Sequence, residues 1–330
     1  VTGPDSGGGT SEVPGGWPAI FARLVAGEDL DAEQARFALG DVLEGSAGEA
    51  RLAGLLVGLA AKGPSPTELE AMVDAMLDAA VPLVLSDPHS TTDIVGTGGS
   101  PRRREAALNV STMAAFVAAG AGAVVCKHGN RRASSTSGSF DLLDELGVTV
   151  ELDADGVRRC VDEAGIGFAF ARVFHPAMRH AAPVRTALGV PTLAPLVIDV
   201  LSRRGSPRAM VVCGHDGTDE IVTTGTTRIH ELRDGEVRVY DFDPASVGIA
   251  VVEAAQVQGG DPVRNATIAR QLFAGAGGPV ADMVALNAAA VLVVAGRADS
   301  IADGLELARA ALADGAASRR LETLVALLNP

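Results

Sequence analysis

Several stretches of the chain concentrate groups that bind anions. The run "KHGNRRASSTSGSFDLL" (127–143) sets Lys127, His128, Asn130 and Arg131 around Gly129, then passes through Ser134, Ser135, Thr136, Ser137 and Ser139 before turning apolar. A solvated loop tolerates such a run, but it does not explain a basic start feeding a hydroxyl-rich helix start. Cations with hydroxyl donors fit a phosphate or pyrophosphate. In "DIVGTGGS" (93–100), Gly96, Thr97, Gly98 and Gly99 follow an apolar strand pattern. Glycines there let backbone N–H groups approach an anion closely, whereas a plain strand-to-helix turn needs one glycine rather than three. In "NVST" (109–112), Asn109, Ser111 and Thr112 open a helical pattern. Any one of them is explained as an N-cap. The three together, shortly after a glycine loop, point to a phosphate at a helix N-terminus.

The acidic counterpart is "HDGTDEI" (215–221). The adjacent carboxylates Asp219 and Glu220 repel each other unless solvated or bridged by a cation, and two carboxylates with phosphate oxygens and waters suit Mg²⁺. Taken alone, the stretch also fits an acidic surface turn. "HPAMRHAAPVRTALGVPT" (175–192) adds Arg179 and Arg185. Each reads either as a surface ion pair or as an anchor for an acidic ring, because a guanidinium fork matches a carboxylate.

Such groups need a frame. From Thr91 onward, short apolar strands ("DIVGT", "AVVCKHG", "GFAFA", "AMVVCG") alternate with helical patterns, which predicts a mostly parallel sheet flanked by helices. Ligands bind at the carboxyl ends of the strands of such sheets, where these polar clusters fall. "ELRDGEVRVYDFDP" predicts a hairpin turning at Asp234-Gly235. Before Thr91 the texture is helical. Ser65, Pro66 and Glu68 form a capping-box signature, with Leu69, Met72, Val73, Met76 and Leu77 on one face. Leu52, Leu55, Leu56 and Leu59 form a second stripe. Residues 1–17, rich in Gly, Ser and Pro, read as disordered.

Bulk properties narrow the classes. The chain has 330 residues, room for one large α/β domain or two domains. A net charge of −14 argues against nucleic acid as a partner, while a local positive cleft for small anions stays possible. The longest apolar runs, such as "AAAVLVVAG" (288–296), reach about half a membrane span, so no transmembrane helix is expected. No secretory signal is visible. Cys126, Cys160 and Cys213 are an odd, widely spaced set, which suggests a reducing, cytoplasmic setting.

The motifs, in this order, resemble the anthranilate phosphoribosyltransferase family: "DIVGTGG", "NVST", "KHGNR…S…SGS.D.L", "HPAMRHAAPVR..LG" and "GTDEI…G.T". The resemblance implies an α/β fold of the nucleoside phosphorylase / phosphoribosyltransferase class, with a small all-helical domain and a larger domain built on a mostly parallel sheet. The helical domain is expected at 18–85, joined by helices from about 155–190, and the phosphoribosyl-transfer domain at 86–330. It implies a homodimer through the helical domain. It also implies a pentosyltransferase that moves ribose 5-phosphate from phosphoribosyl pyrophosphate (PRPP) to an aromatic acid, with Mg²⁺ and pyrophosphate release. Carried over, Gly96, Thr97, Gly98 and Gly99 line the pyrophosphate site. Asn109, Ser111 and Thr112 hold the 5-phosphate, with Ser111 also on a metal. Lys127 contacts donor phosphate, and Ser135 belongs to the substrate-binding set. His128, Asn130 and Arg185 lie on the acceptor side. Asp219 and Glu220 bind a second Mg²⁺. Lys127, His128 and Arg185 take the catalytic roles.

Two loops depart from the family. Its glycine loop continues "GTGGDG..T.N.ST"; here Ser100 replaces the aspartate and an insertion brings Arg102, Arg103 and Arg104. Its "N.LGPL.NP" segment is reduced to Pro195-Leu196. The first loop touches the donor and the second the acceptor route. The expectation is therefore a paralogue using anthranilate or a related benzoate, as in secondary metabolism. A ligand-binding protein without catalysis and a nucleoside phosphorylase-like enzyme remain the alternatives.

Overall fold

The computed structural model of the chain describes residues 13–96, 107–132, 136–181 and 194–329. The chain divides into two units, Val1–Ala80 with His175–Val190 and Val81–Phe174 with Pro191–Pro330.

The first unit is helical: α1 Gly16–Val25, α2 Ala32–Leu43, α3 Gly48–Lys62 and α4 Pro66–Asp78. The capping box forms as the sequence predicts. Ser65 Oγ accepts the Glu68 N–H at 3.3 Å, Glu68 Oε2 accepts the Ser65 N–H at 2.6 Å, and Pro66 takes the first helical position. The buried face of α4 is not the predicted one. Glu68, Ala71 and Ala75 are buried, while Leu69, Met72, Val73 and Met76 are half-buried and Leu77 is 51% exposed. Ala71 joins Ala35 and Ala38 of α2 in the core, so small residues let the helices approach and the larger ones stand aside. Leu52, Leu55 and Leu59 of α3 are buried as expected.

Glu68 is wholly buried and satisfied from three sides. Besides Ser65, it accepts the Leu30 N–H at 2.7 Å and the Lys62 ammonium at 2.7 Å. Lys62 also reaches Asp29 Oδ1 at 2.7 Å and Gly63 O at 2.9 Å. Burial pulls the Lys62 pKa down, but the hydrogen bonds and charges of Asp29 and Glu68 outweigh it and hold the pKa above its ordinary value.

Two expectations about this unit need correction. The expected disorder does not hold for residues 13–17, and residues 1–12 lie outside the described residues. Val13 and Trp17 are each 5% exposed, and Trp17 packs against Phe21 and Phe37 while its Nε1 donates to Asp41. Nor does the unit reach residue 85 or include a helix near 155. The Val81 N–H donates to Phe174 O, and Leu83 packs with Val157 and Phe174, all in the second unit.

The second unit holds a parallel sheet in the order β1 Thr91–Thr92, β2 Val124–Gly129, β3 Ile166–Phe170. Thr92 pairs with Val125, and Val125 with Ile166. Parallel neighbours need crossovers. α5 Val110–Gly120 links β1 to β2, and α6 Ser139–Leu146 with α7 Ala154–Ala164 links β2 to β3. The "AMVVCG" strand, expected in the parallel sheet, lies elsewhere. As β4 Arg208–Gly214 it pairs antiparallel with β5 Thr227–Arg233, which turns at Asp234-Gly235 (φ 53° and 83°) into β6 Glu236–Phe242. Two successive positive-φ residues are what a two-residue hairpin requires, so a local partner was available to β4.

The helices α8 Ala194–Arg203, α9 Pro262–Phe273, α10 Pro279–Val294, α11 Ile301–Ala313 and α12 Ala316–Leu328 complete the unit. Its centre is α5, apolar all round and buried from Thr112 to Ala119, packed by α10, α11, α12 and β2. Phe116 stands between Phe168 and Phe273, each ring 5.4 Å away. Among the described residues no helix is long and apolar enough to cross a membrane.

Candidate active site

The carboxyl ends of β1 and β2 converge on Lys127. Its side chain runs inward, 1% exposed, and Nζ donates to Ile94 O at 2.6 Å and His128 O at 3.4 Å. The Asp93 carboxylate accepts the His128 N–H at 3.0 Å. The ammonium therefore sits where the chain leaves β1 toward Gly96. Burial, and then the neighbouring Lys127 charge, hold the His128 pKa below its usual 6.5. Near neutral pH the imidazole is uncharged and offers one N–H and one lone pair.

The run after β2 closes on itself. A Cβ on Gly138 would lie 2.3 Å from the Arg132 nitrogen, and one on Gly129 would lie 2.9 Å from Ser139 Oγ. The Asp141 carboxylate accepts the N–H groups of both Arg132 and Gly138 at 2.9 Å. Phe140 N–H reaches Asn130 O. Asn130 is exposed, and its side-chain oxygen accepts the Arg131 N–H. Arg131 stacks on Phe170 at the end of β3 and pairs with Asp144 and Glu151.

The other end of the run builds the start of α5. Thr136 Oγ1 accepts the Ala107 N–H at 3.1 Å, and Ser137 Oγ donates to Asn109 Oδ1 at 2.8 Å. Asn109 occupies the N-cap position without capping by its side chain. Its Oδ1 also accepts from Asn265 Nδ2 at 2.8 Å, and its Nδ2 donates to Ser137 O at 3.3 Å. The Thr112 hydroxyl is fully buried and has no hydrogen-bond partner among the described residues. A hydroxyl in that state on the first turn of a helix suits an anion, although the Val110 and Thr112 N–H groups are already taken by Leu108 O and Asn109 O.

Asn265, on the second turn of α9, escapes every sequence motif. It is fully buried; Nδ2 also donates to Ala107 O at 2.7 Å, and Oδ1 accepts the Gly260 N–H at 2.9 Å. A Cβ on Gly259 would stand 2.3 Å from Ala107 O, so this segment lies directly on the backbone before Asn109. The available signal was an asparagine inside the "GGDPVRNA" helix start, where the residue is unfavourable unless its amide has a partner.

Glu220 is buried at 7% exposure and Asp219 is half-buried. Asn287 of α10 clamps the next residue, accepting the Ile221 N–H at 3.0 Å and donating to Ile221 O at 2.8 Å. Just beyond, Thr223 and Thr224 have buried hydroxyls without partners among the described residues. Two carboxylates and spare hydroxyls are hard oxygen donors that fit Mg²⁺. Among the described residues no group of three His, Cys, Asp or Glu side chains encloses a metal, as befits an ion that keeps waters and substrate oxygens. All three cysteines are free thiols. Burial pushes Cys126 up to about 12 and Cys160 up to about 11, so neither supplies a thiolate near neutral pH.

Thr97, Gly98, Gly99, Ser100, the three loop arginines, Ser135 and Arg185 lie outside the described residues. Arg179 is on an exposed 3₁₀ turn, its guanidinium toward Pro176 O. The structure thus joins Lys127 to His128 at the strand ends and Asn109 to the hydroxyl run, while Asp219 and Glu220 share their unit.

The family model described as "Glycosyl transferase family, a/b domain" matches residues 89–198 and 193–318, and "Glycosyl transferase family, helical bundle domain" matches 18–80. The anthranilate phosphoribosyltransferase of Nocardioides sp. is 44% identical, covering 94% of this chain and 98% of its own. That of Thermomicrobium roseum is 41% identical, covering 94% and 97%. The crystal structure of the Thermus thermophilus anthranilate phosphoribosyltransferase superposes with a TM-score of 0.85 at 40% identity, covering 94% of this chain and 99% of that one. The Saccharomyces cerevisiae enzyme in complex with PRPP and Mg shares the fold, with a TM-score of 0.81 at 22% identity over 94% and 97% of the chains.

Proposed function

Because the chain belongs to the anthranilate phosphoribosyltransferase family of pentosyl-transferring enzymes, we propose that it transfers ribose 5-phosphate from PRPP to the amine of anthranilate or a related benzoate, releasing pyrophosphate. The observation that carries this reading is the start of α5, where Asn109 is held in a polar network and the Thr112 hydroxyl is buried without a partner among the described residues. Both are groups that a phosphate accepts from.

In this reading Asn109, Ser111 and Thr112 hold the 5-phosphate, and the glycine segment from Gly96 to Gly99 lines the pyrophosphate. Lys127 lies at the base of that segment and steadies negative charge on the donor as the anomeric carbon becomes oxocarbenium-like. His128, Asn130 and Arg185 face the acceptor, with Ser135 in the substrate-binding set. An aromatic amine needs no strong base, so catalysis rests mainly on holding it in line with the donor. Ser111, Asp219 and Glu220 are the residues that would hold Mg²⁺, which when bound neutralises charge on the departing pyrophosphate. On this reading the changed segments at 100–105 and 193–199 vary the donor and acceptor routes, in keeping with an acceptor used in secondary metabolism. A homodimer through the helical unit belongs to the same reading and is supported by exposed apolar residues there, including Val57 and Leu77.

Pyrophosphate release from PRPP, measured with anthranilate, aminobenzoates and salicylate, tests the assignment. Release with one of these acceptors supports it. PRPP binding without release with any acceptor would mark a ligand-binding protein, and phosphate-dependent nucleoside cleavage would mark a phosphorylase. In the same assay, Arg185→Ala is expected to weaken transition-state binding by about 2–3 kcal/mol, through loss of a charge-assisted bidentate contact. The effect should appear in the acceptor KM and spare the donor KM; equal effects on both would make Arg185 structural.

A further inference from the structure

We infer that Asn265 is a positioning residue for the donor, acting through Asn109 by fixing which end of that amide faces the anion; the inference rests on the reading of the α5 start as the PRPP 5-phosphate site. Hydrogen-bond polarity sets both amides. Backbone groups cannot exchange donor for acceptor, and three of them surround Asn265. Its Oδ1 meets the Gly260 N–H, while its Nδ2 meets Ala107 O at 2.7 Å and Gly260 O at 3.4 Å. That fixes the Asn265 amide, since the flipped form would set its oxygen against two carbonyls and its NH₂ against an N–H.

The same Nδ2 points at Asn109 at 2.8 Å, so the Asn109 atom facing it must be the acceptor Oδ1, a choice reinforced by the Ser137 hydroxyl. The Asn109 NH₂ is left on the other side. One of its protons goes to Ser137 O, and the second has no partner among the described residues. A backbone N–H of the α9 approach thereby sets Asn109, at the start of α5, as a donor. Without Asn265 the amide can rotate and present a carbonyl oxygen, which repels a phosphate. This explains a buried asparagine in a helix that carries no residue of the expected site.

The test is calorimetric titration with PRPP in Mg²⁺ buffer, using the wild type, Asn265→Asp, Asn109→Ala and the double variant, with the anthranilate KM measured alongside. Asn265→Asp keeps the shape but turns the donor facing Asn109 into an acceptor. It is expected to weaken PRPP binding by about tenfold or more, with the anthranilate KM within about twofold of wild type. On the Asn109→Ala background the same change should alter PRPP affinity by less than about twofold, since a residue acting only through Asn109 has nothing left to position. A folded Asn265→Asp variant that binds PRPP like the wild type overturns the inference, as do equal losses with and without Asn109. If that variant fails to fold, Asn265→Ser decides, since it removes the donor facing Asn109 without setting an acceptor in its place. It should weaken PRPP binding by about threefold to fivefold, again only when Asn109 is present, and no change overturns the inference. A wild type that binds no PRPP rejects the underlying site assignment and this inference with it.

Discussion

Exchanging Asp219 for Asn and Glu220 for Gln together is expected to lower Mg²⁺-dependent turnover roughly 10²–10³-fold, about 2.7–4 kcal/mol, the scale of removing one preorganised charge-stabilising group. The pair sits in a fixed setting, with Glu220 buried and the following residue clamped on both backbone groups by Asn287. Holding two like charges side by side, one of them out of solvent, is unfavourable unless a cation or donors compensate. The amides keep the shape and remove both charges, so the melting temperature should stay close to that of the wild type. Kinetics across a Mg²⁺ titration make the check, with the lost rate partly recovered at high Mg²⁺. Unchanged turnover over the whole titration would exclude these carboxylates from metal binding.

The largest stability effect is expected in the helical unit. Glu68→Ala removes the acceptor for Leu30, Ser65 and Lys62 at once and leaves the Lys62 ammonium only 4% exposed with Asp29 and Gly63 as its remaining partners. Breaking a buried pair from one side costs about 3–5 kcal/mol, and the retained Asp29 contact puts this case near 3. Denaturant unfolding of the two proteins at neutral pH measures the difference. The Lys62 pKa is raised in the fold, so the pair's contribution is fully present below the ordinary value of 10.5 and disappears as pH climbs through the raised one. The gap between wild type and variant should therefore persist from neutral pH to about 10 and narrow above it. Equal unfolding midpoints at pH 7 would remove this network from the account of the unit's stability.

Much of this architecture was legible because it is encoded locally. The Ser65–Pro66–Glu68 signature and the Asp234-Gly235 turn each depend on neighbours within a few residues, and both form. Lys127 and His128 close β2 as the strand pattern predicts, whereas the "DIVGT" run expected as a strand lies beyond β1, which ends at Thr92. What could not be read depends on distant packing. The buried face of α4 is set by the alanines of α2, which a stripe of Leu and Met does not reveal. The partner of β4 follows from the hairpin beside it, not from the alternation of strands and helices. Thr136 and Ser137 looked like ligand donors, yet they bind the segment leading into α5. Asn265 meets Asn109 across 156 residues of chain, and no spacing rule reaches so far.

The all-apolar α5 ties the core to the chemistry as a rod ties a piston to its crank. Its first turn carries Ser111 and Thr112, which we propose hold the donor's 5-phosphate, and its far end is pressed against another helix, where a Cβ on Gly120 would lie 2.8 Å from the Ala317 nitrogen. Packed interiors yield little when a methyl group is added, so a bulkier residue along this shaft shifts it lengthwise or tilts it. Either displacement travels the length of the helix, about 16 Å at 1.5 Å per residue, to Asn109 and Thr112. On the proposed reading, substitutions at Ala114, Ala118 or Gly120 are expected to change donor affinity from the core side. Libraries that diversify only the loops would leave that axis of variation unexplored.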